Sequence, residues 1–517
     1  MKDARKNTIP LRKKSTCFFV FSNKQLCIHG QNFSPLPRYL QEYGIIVIII
    51  HQQSMYNQIY REEILYMYKL SEISKKYSEK KMSPQEAAGL ISSGDRISYG
   101  FGYTAPHAVD EALAERLKNE ELDHLELVNT LTMHEPAVYR ETSDNSQIQF
   151  TCGHFSGLDR KHSKNGRCWF TPIFFRESPK YWAEEEPADV LIIQTTPMDQ
   201  WDNFNIGPAL TDVRGYLKGA KKVIVETNDK LPFVHGIQTE LNLSEVDAVV
   251  EGDNPDIPEI TSRPADDKDR KIAETVVNLI ESGSTLQLGI GALPNMIGQM
   301  LCESDRTDLG AHTEMLTDAY VDLYNAGKLT SSHSSIPGKI VYAFAGGTRK
   351  LYDFLDHNQK CCAAPVSYVN DVHVISSIEK MISVNGAIDL DLFGQVNAES
   401  AGFQHISGTG GQLDFVQGAY GSRGGKSFIC LHSTRTKKDG TTESLIKPAL
   451  PLGSIVTTPR AAVHYVVTEY GAASLKGKST WKRAEALIQI AHPDFREELI
   501  RDAEKMGIWT NTSRLSL

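Results

Sequence analysis

The sequence lacks the cysteine pattern of a metal-binding or disulfide-rich protein. Its 517 residues include eight cysteines, and none of them forms a CxxC pair. Adjacent Cys361 and Cys362 do not have the spacing of zinc ligands, and no His, Asp, Glu and Cys cluster does. We therefore expect no metal, and we interpret the cysteines as reduced thiols of a cytoplasmic protein.

Long apolar runs are also missing. The strongest run, Ile45 to Ile50, is far shorter than the roughly 20 residues that a membrane-spanning helix needs. No small-residue cleavage site follows an apolar core near the N-terminus, which argues against a secretory signal. We expect no interaction with a membrane.

Positive charge is scarce outside the N-terminal region. The first 66 residues contain nine Lys or Arg and four Asp or Glu, a net charge of +5. Because the whole chain has a net charge of −9, the remaining residues carry a net charge of −14. An acidic body without a basic stripe is not typical of a nucleic-acid-binding protein. We expect residues 1–66 to be a disordered or non-native extension, with translation starting at Met67 or Met82. A mitochondrial presequence is the alternative.

A repeated pattern organises the rest of the chain. The motif SPQE, from Ser83, is typical of a helix start with a capping box. A helix ending at Gly94, a strand RISYGFG and a second helix follow. The same order recurs about 190 residues later, with a helix ending at Gly283, the strand TLQLGIG and the helix ALPNMIGQMLCE. This pattern indicates a duplicated α/β unit.

The length and the repeat together predict two domains. We expect an N-terminal domain over residues 83–263 and a C-terminal domain over residues 271–517, joined by the polar stretch 261–270. VLIIQTTP and KKVIVETN are typical of short buried strands, and their alternation with helical segments favours mostly parallel sheets. The predicted fold class is α/β.

The glycine turn GIGALP (Gly289 to Pro294) follows one of these strands. Such a turn lets backbone N–H groups approach a ligand, and the next helix N-terminus favours negative charge, although the turn is often purely structural. Glu314 follows Gly291 at about the distance of a dinucleotide-binding acid. Pro294 in place of a third glycine argues against that alternative, and the preceding DLGAH is too polar for a buried strand.

Glu314 itself lies in the motif HTEM. A solvated or capping role is the ordinary interpretation of such a glutamate. Aligning LELVNTL with LGAHTEM places Thr130 opposite Glu314 if one more gap is allowed. Without that gap, Glu126 is the residue that matches Glu314. A glutamate in one repeat only would suggest that one half carries the chemistry.

A second glycine-rich run, Gly408 to Gly411, lies in ISGTGGQLDF. Its bare backbone suits close approach by a bulky ligand, and a hairpin turn is the alternative. The sequence contains no serine nucleophile elbow and no Cys-His arrangement, which argues against ordinary thioesterase chemistry.

These motifs together resemble the acetyl-CoA hydrolase/transferase family. The resemblance extends from about Ser83 to the C-terminus and is strongest to the 4-hydroxybutyrate and butyryl-CoA:acetate CoA-transferases. The motifs that carry it are GRCWFTPIFFRESP, VETNDKLPFVHG, LQLGIGALP, HTEM, GGTRKLYDF, VNGAIDLDLFGQVNAES, GTGGQLDF, VTEYGAASLKGKS and AHPDFR.

The resemblance implies an activity and a site. It implies CoA transfer between short-chain carboxylic acids, such as acetate, propionate, butyrate or 4-hydroxybutyrate, through a glutamyl-CoA thioester on Glu314. Coenzyme A would be a substrate, with no permanently bound cofactor. The implied CoA contacts are Gly289, Ile290, Gly291, Ala292, Leu293, Ile388 and Gly411. The implied fold is two related open α/β domains of the NagB/RpiA-like type, and we expect a homo-dimer or homo-tetramer.

Two alternatives remain at this point. An acyl-CoA hydrolase would use the same Glu314 and differ only in how well the site excludes water, and a non-catalytic CoA-binding sensor is the other possibility. One segment departs from the family, because PMDQWDNFNIG lacks the usual His-Gly pair after PMD. We expect this segment, residues 197–207, to line the acyl pocket. His312 shares a strand face with Glu314, but transfer between carboxylates needs little proton movement.

Overall fold

The computed structural model describes residues 72–143 and 145–510, together with the strands β1 (Phe19–Ser22) and β2 (Gln25–Ile28). The chain divides into two units, residues 1–71 and residues 72–517. In the first unit, β1 and β2 form an antiparallel hairpin. The rest of the extension that we expected to be disordered or non-native lies outside the described residues.

Among its described residues, the first half of the second unit contains nine strands and seven α-helices. The strands are β3 (Arg96–Phe101), β4 (Leu125–Thr130), β5 (Ile148–Cys152), β6 (Cys168–Phe170), β7 (Val190–Thr195), β8 (Asn203–Asn205), β9 (Lys222–Thr227), β10 (Glu240–Asn242) and β11 (Ala248–Glu251). The helices are α1 (residues 72–80), α2 (Pro84–Ala88), α3 (Ala108–Lys118), α4 (Ala137–Glu141), α5 (Gly157–Lys164), α6 (Ser178–Lys180) and α7 (Val213–Gly219).

The second half contains the remaining elements of the described chain. Its strands are β12 (Thr285–Leu288), β13 (Gly310–Leu316), β14 (Ile340–Ala345), β15 (Cys361–Ala363), β16 (Met381–Gly386), β17 (Asp389–Asp391), β18 (Val396–Asn397), β19 (Ser400–Ala401), β20 (Gln404–His405), β21 (Lys426–Cys430), β22 (Thr434–Thr436), β23 (Thr442–Ser444), β24 (Ile446–Lys447), β25 (Tyr465–Thr468) and β26 (Gly471–Ser474). Its helices are α8 (Asp267–Asn278), α9 (Ala292–Glu303), α10 (Asp318–Asn325), α11 (Arg349–Leu355), α12 (Val366–Val369), α13 (Val372–Ser377), α14 (Gln412–Gly421), α15 (Thr480–Gln489) and α16 (Pro493–Lys505).

Each half is built on one large sheet, and the two sheets have the same strand order. The first sheet is parallel throughout, in the order β11-β9-β7-β3-β4-β5-β6. The second has the order β26-β25-β21-β16-β12-β13-β14-β15, and only its β25–β26 pair is antiparallel. The predicted α/β class with mostly parallel sheets is confirmed.

The strand register decides how the two repeats correspond. Arg96 on β3 pairs with Glu126 on β4, and its repeat equivalent Thr285 on β12 pairs with Gly310 on β13. Glu126 therefore corresponds to Gly310, and four residues further along Thr130 corresponds to Glu314. The alignment with the extra gap is the correct one.

Several local expectations hold and others need correction. Ser83 caps α2 and forms the predicted capping box with Glu86, but α2 ends at Ala88 rather than reaching Gly94. The stretch DLGAH is not too polar for a buried strand. β13 begins at Gly310 within it and lies between β12 and β14. The argument against a dinucleotide fold from that polarity is therefore wrong.

The polar stretch 261–270 is not a linker along its whole length. Helix α8 begins at Asp267, and Asp266 caps it by accepting hydrogen bonds from two backbone N–H groups of its first turn. The last four residues of the expected linker are therefore helical.

The two halves share a hydrophobic cluster, and each half also has a buried cluster of its own. Phe101 of the first half packs against Phe344 of the second, with ring centroids 4.6 Å apart, and both belong to a buried cluster drawn from both sheets. Gly236 approaches Ala363 so closely that a Cβ at Gly236 would lie 1.9 Å from the Ala363 carbonyl oxygen. This contact joins the segment between β9 and β10 to β15 of the second half.

Candidate active site

A cavity of about 700 Å³ lies between the two halves. The first half contributes side chains and loops at or just beyond the carboxyl ends of β3, β4 and β5, including Phe101, Thr130, Leu131 and His154. The second half contributes residues at or beyond the ends of β12, β13, β16 and β21, including Leu288, Glu314, Gly386 and Leu431. Ligands of parallel α/β sheets bind at this edge, so the cavity is the candidate site.

The side chain of Glu314, near the end of β13, faces this cavity. The side-chain amide of Asn370 donates a hydrogen bond to Glu314 Oε2 at 2.6 Å, and the Gly411 backbone N–H donates a second one. Asn370 is fully buried, immediately after α12, and Gly411 is the N-cap residue of α14. Two elements far from β13 in sequence therefore hold the carboxylate.

The surroundings of Glu314 change its ionisation. Burial raises the pKa of this carboxyl group from its ordinary value to about 7, and the negative charge of Asp414 acts in the same direction. The hydrogen bonds from Asn370 and Gly411 oppose this rise because they favour the charged form. A carboxylate with a raised pKa is a better nucleophile than an ordinary one when it is ionised.

The GTGG loop lies directly against this carboxylate. A methyl group at Gly411 would lie 2.1 Å from Glu314 Oε2 and 2.2 Å from Asn370 Nδ2, so only glycine fits there. Gly410 has a φ of 52°, in the left-handed region that favours glycine. The loop is therefore not a hairpin turn, because it leads into α14 and its backbone contacts the Glu314 side chain.

Most of the other predicted binding residues line the same cavity. They are Gly289, Ile290, Ala292, Leu293 and Ile388. Gly291, the N-cap of α9, instead lines an adjoining crevice of about 400 Å³ together with Ile290 and Ala292. The structure thus brings the predicted set together around the GIGAL loop, with Gly291 on its outer side.

His312 has a structural position. Its ring is fully buried, with Nε2 2.7 Å from the Val369 carbonyl oxygen and Nδ1 2.7 Å from Ser335 Oγ. A carbonyl oxygen only accepts, so Nε2 carries the hydrogen and Nδ1 accepts from the serine hydroxyl. Burial lowers the pKa of His312 to about 4. Both ring nitrogens are occupied, which leaves His312 no role as a general base.

The walls of the cavity are largely apolar, and one expected segment is absent from them. The segment AFAGG contributes Phe344, and AIDLDLFG contributes Ala387 and Ile388. No residue of 197–207 lines the cavity. β8, in that segment, pairs with β10, and Phe204 and Ile206 are buried in the core. The expectation that this segment forms the acyl pocket is therefore wrong.

A charged cluster lies at another side of the cavity. Asp269 accepts a hydrogen bond from His432 Nε2 at 2.8 Å and forms an ion pair with Arg263 Nη1 at 2.8 Å. Asp266 lies beside them, and the three side chains Asp266, Asp269 and His432 have the spacing of metal ligands. Because Arg263 and His432 already occupy both oxygens of Asp269, we interpret the cluster as an ion-pair network.

Three residues around Glu314 were not predicted from the sequence. Asn370 carries no motif, and nothing in its neighbourhood indicates that it meets a residue 56 positions earlier. His154 follows β5 and faces Gly408 and Gly410 from the first half. Asp414 lay inside the quoted motif GTGGQLDF, and its place beside buried Phe415 on α14 was a usable signal, because a carboxylate rarely occupies a core position.

Comparison with known families identifies the chain. The model of the acetyl-CoA hydrolase/transferase N-terminal domain matches residues 67–260, and that of the acetyl-CoA hydrolase/transferase C-terminal domain matches residues 347–503. The chain belongs to this family. The resemblance expected from the motifs is confirmed.

Related proteins match most of the chain. Butyryl-CoA:acetate CoA-transferase of Anaerostipes caccae is 46% identical over 442 residues, which are 85% of this chain and 99% of the relative. 4-Hydroxybutyrate coenzyme A transferase of Clostridium kluyveri is 37% identical over 431 residues, 83% of this chain and 98% of the relative. Acetyl-CoA hydrolase of Candida albicans is more distant, 24% identical over 82% of this chain and 88% of the relative.

Solved structures agree with this family. RipA from Yersinia pestis matches with a TM-score of 0.76 at 34% identity, covering 84% of this chain and 99% of that one. 4-Hydroxybutyrate CoA-transferase from Porphyromonas gingivalis matches with a TM-score of 0.68 at 29% identity, with the same coverage. Within the described part of this family member, none of the helices has the length and apolar character needed to cross a bilayer.

Proposed function

We propose that this protein is a CoA-transferase that moves CoA between a short-chain acyl-CoA and a carboxylate such as acetate, with Glu314 as the covalent carrier. One observation carries the proposal. The Glu314 carboxylate faces an apolar cavity and is held by the Asn370 amide and the Gly411 backbone N–H. The relatives at 46% and 37% identity are both named as CoA-transferases, which supports transfer over hydrolysis.

The reaction proceeds by exchange of activated acyl groups. An oxygen of the Glu314 carboxylate attacks the thioester carbonyl of the acyl-CoA, and the C–S bond breaks to give a mixed anhydride and CoA thiolate. The thiolate then attacks the Glu314 carbonyl carbon. This step forms the glutamyl-CoA thioester and releases the first acid as its carboxylate. No net proton is consumed in either step.

The second half of the reaction reverses these steps with the acceptor acid. The acceptor carboxylate attacks the glutamyl thioester, which again gives an anhydride and CoA thiolate. Attack of the thiolate on the acceptor's carbonyl carbon forms the new acyl-CoA and restores the Glu314 carboxylate. Each activated group is exchanged for another, so little free energy is lost.

The groups around Glu314 suit the charge that develops in these steps. Whenever the Glu314 carbonyl carbon is attacked, one of its oxygens becomes an oxyanion. The Asn370 N–H and the Gly411 N–H already point at this carboxyl group, so they stabilise the oxyanion without reorganising. Loss of one such donor typically costs about 2.7–4 kcal/mol of transition-state stabilisation.

Coenzyme A is a substrate in this proposal and is not permanently bound. Because Gly289 and Gly411 have no side chains, they leave room for the pantetheine arm of CoA. Ile290, Leu293 and Ile388 offer this arm apolar contacts. The apolar wall around Phe344 excludes water from the anhydride and the thioester. The acetyl-CoA hydrolase alternative, supported by relatives of 24% identity, would need water to enter here.

The proposal also covers the cellular compartment and the oligomeric state. We place the protein in the cytoplasm, because the six cysteines between residues 72 and 510 are all free thiols. We expect a homo-dimer or homo-tetramer, to be measured by light scattering. The side chains of Phe403 and Leu452 are 83% and 85% exposed, and they offer apolar surface that a second copy could cover.

The test of the proposal is to trap the intermediate. Incubation with acyl-CoA and no acceptor should accumulate a thioester, and borohydride should then reduce the Glu314 carboxyl group to an alcohol. The Glu314 peptide would show this change by mass spectrometry. E314Q should fold and lose nearly all transfer, whereas E504Q, at an exposed position on α16, should behave as wild type.

Four outcomes would contradict the proposal. A label on another residue, or wild-type transfer by E314Q, would exclude Glu314 as the carrier. Equal rates of acyl-CoA loss with and without acetate would indicate a hydrolase instead. Absence of both activities, with CoA still bound, would indicate a sensor. A panel of acids from acetate to 4-hydroxybutyrate, with acetyl-CoA as donor, then defines the acceptors.

A further inference from the structure

Two histidines close to Glu314 differ in what their rings contact. His312 has a hydrogen-bond partner at each ring nitrogen. His154, two residues after β5, lines the cavity, and its ring makes no hydrogen bond to any residue in the ranges 72–143 and 145–510. Only its backbone carbonyl is engaged, by the Leu131 N–H and the Cys152 thiol. The His154 ring is therefore a polar group of the cavity wall that the proposed mechanism leaves unused.

The GTGG loop lies against both the His154 ring and the Glu314 carboxylate. A methyl group built on Gly410 would lie 3.9 Å from Glu314 Oε1 and 3.9 Å from His154 Nδ1. The backbone N–H of Phe155 donates to the Ser407 carbonyl oxygen at 3.0 Å, which holds the segment that carries His154 against this loop. The ring and the carboxylate therefore lie close to the same point of the loop, one from each half of the molecule.

The two oxygens of Glu314 are not equivalent. Oε2 accepts the short hydrogen bond from the Asn370 amide, at 2.6 Å. Oε1 is the oxygen near His154, and no side chain of the described residues donates a hydrogen bond to it. A hydrogen bond stabilises the negative charge of the oxygen that accepts it, so Oε2 is the weaker nucleophile. We therefore expect Oε1 to attack the acyl carbon, on the side of the cavity where His154 lies.

Attack by Oε1 creates a charge that the donors around Glu314 do not serve. The Asn370 amide and the Gly411 N–H hold the carboxyl group of Glu314 itself, and they suit the steps in which the Glu314 carbon is attacked. In the first step the negative charge develops instead on the carbonyl oxygen of the acyl-CoA. The side chains of Phe101 and Leu131, on the first-half wall, offer that oxygen no hydrogen bond. An N–H donor among them would be strengthened by its apolar surroundings.

We propose that His154 is a further catalytic residue, whose ring N–H donates a hydrogen bond to the carbonyl oxygen of the acyl-CoA and to a carboxylate oxygen of the free acid. The inference rests on the proposed function of Glu314. When Oε1 forms its bond to the acyl carbon, the C=O electron pair moves to the carbonyl oxygen, and the N–H stabilises this oxyanion. The C=O bond then re-forms and expels CoA thiolate. The imidazole keeps its proton throughout.

The ring suits this role because it is uncharged. Burial lowers the pKa of His154 to about 4; His405 on β20 and Arg160 on α5 act in the same direction, and Asp159 on α5 opposes them. Because the pKa is lowered, the ring is neutral at every pH well above 4. A neutral donor orients the acceptor carboxylate, whereas an imidazolium would stabilise its charge and make it a weaker nucleophile. The group that titrates near neutral pH is Glu314, across the GTGG loop.

The kinetic test removes the donor and then restores it. H154F keeps a flat ring without a donor and should lower kcat by about 100-fold or more, as for loss of one oxyanion donor. Its KM for acyl-CoA should change less, because the oxyanion exists only in the transition state. Asparagine places an N–H near the position of Nδ1 and glutamine near that of Nε2, so H154N or H154Q should exceed H154F by at least about tenfold.

The matched control is H464F. His464 is also a partly buried histidine with a pKa lowered to about 4 by burial, and it lies outside the cavity wall. H464F should transfer CoA at the wild-type rate. In the wild type, transfer should rise with pH through about 7 as Glu314 loses its proton. This acid limb should stay near 7 in H154F, because the ring that is removed is already neutral there.

A substrate analogue gives a readout that a purely structural histidine would not change. In a butyryl-CoA analogue with CH2 in place of the thioester sulfur, the carbonyl group is a ketone and no thiolate can leave. With 13C at the carbonyl carbon, its NMR signal moves downfield when the oxygen accepts a hydrogen bond. The signal of the analogue bound to the wild type should therefore lie downfield of the signal on H154F. H464F should give the wild-type signal.

The outcomes distinguish this inference from the proposed function. If the wild type forms no glutamyl thioester, the proposed function itself fails. If the wild type transfers CoA but H154F is as fast, or if neither H154N nor H154Q exceeds H154F, only the role of His154 is wrong. The same ketone signal on the wild type and on H154F, or an acid limb that moves away from 7 in H154F, also overturns it. Circular dichroism melting establishes that each variant is folded, and H154L replaces H154F should the latter not fold.

Discussion

The ends of β4 and β13 occupy equivalent positions in the two halves, yet they differ in chemistry. Thr130 on β4 and Glu314 on β13 occupy matching positions by strand register, and both line the same cavity. Only Glu314 meets a buried amide, from Asn370, and the N-terminus of a helix, at Gly411. The repeated sheet supplies the position, and elements outside the matching strand supply the reactivity.

The first half contributes a wall of the cavity at the carboxyl ends of its strands. Phe101, Leu131 and His154 form the opposite wall of the cavity, and Arg176 reaches across to Asp414. The comparison teaches that a duplicated α/β unit need not keep two sites. One copy carries Glu314, the proposed nucleophile, while the other encloses it and contacts the groups behind it.

The strongest way to break this comparison is to exchange the two residues. E314T should lower transfer by at least about 1000-fold, as expected for loss of a covalent nucleophile. T130E/E314T should not recover, because no equivalent of the Asn370 amide faces position 130. Steady-state rates of CoA transfer to acetate would measure both. If T130E/E314T recovered more than about a hundredth of the wild-type rate, a glutamate at the equivalent position of the other repeat would be sufficient for transfer.

A smaller effect is expected at the helix that gives its N–H to Glu314. G411A should lower kcat by roughly 100-fold, because the new methyl group would collide with Glu314 Oε2 and displace a donor. G157A is the matched control at the start of α5, where the nearest atom to a new methyl group is 3.6 Å away. Transfer kinetics and melting of both variants provide the test. Equal rates for the two would contradict the close approach of Gly411.

The smallest effect on activity should come from His312. By register its counterpart in the first half is Val128, a buried apolar residue, so H312V makes the two strands alike at this position. H312V should lose about 1–3 kcal/mol of folding stability, because the Val369 carbonyl and the Ser335 hydroxyl lose their partner.

H312V should nevertheless keep the acid limb of the pH profile near 7, because the proton in question belongs to Glu314. Urea unfolding measures the stability, and the transfer rate from pH 5 to 9 measures the limb. A shifted limb in a folded H312V would show that His312 takes part in the ionisation of Glu314.

Much of the scaffold was predictable because its signals are local. Glycines after apolar runs marked the ends of β3 and β12, and the recurrence of this pattern revealed the duplication. VLIIQTTP and KKVIVETN became the central parallel strands β7 and β9, as their continuous apolar character indicated. Element ends were less accurate, and α2 stops six residues before the predicted Gly94, because Leu90 and Ile91 donate to carbonyl groups three residues back rather than four.

Other predictions failed because sequence neighbours are poor guides to cavity walls. The segment 197–207 was expected at the acyl pocket, yet its strand β8 packs its apolar side chains into the core. The polar appearance of DLGAH suggested a surface segment, whereas pairing on both sides satisfies its backbone within the sheet. In each case tertiary contacts outweighed local polarity.

The sequence by itself determined the α/β class, the duplication and the family, and the family resemblance singled out Glu314. These follow from periodicity, glycine spacing and motifs, which are properties of short stretches of chain. Only the tertiary structure decided that Asn370, Gly411 and Asp414 surround that glutamate, and that Arg176 of the other half holds Asp414. Such contacts join residues 56 to 238 positions apart, and they depend on how two sheets pack, which no local pattern records.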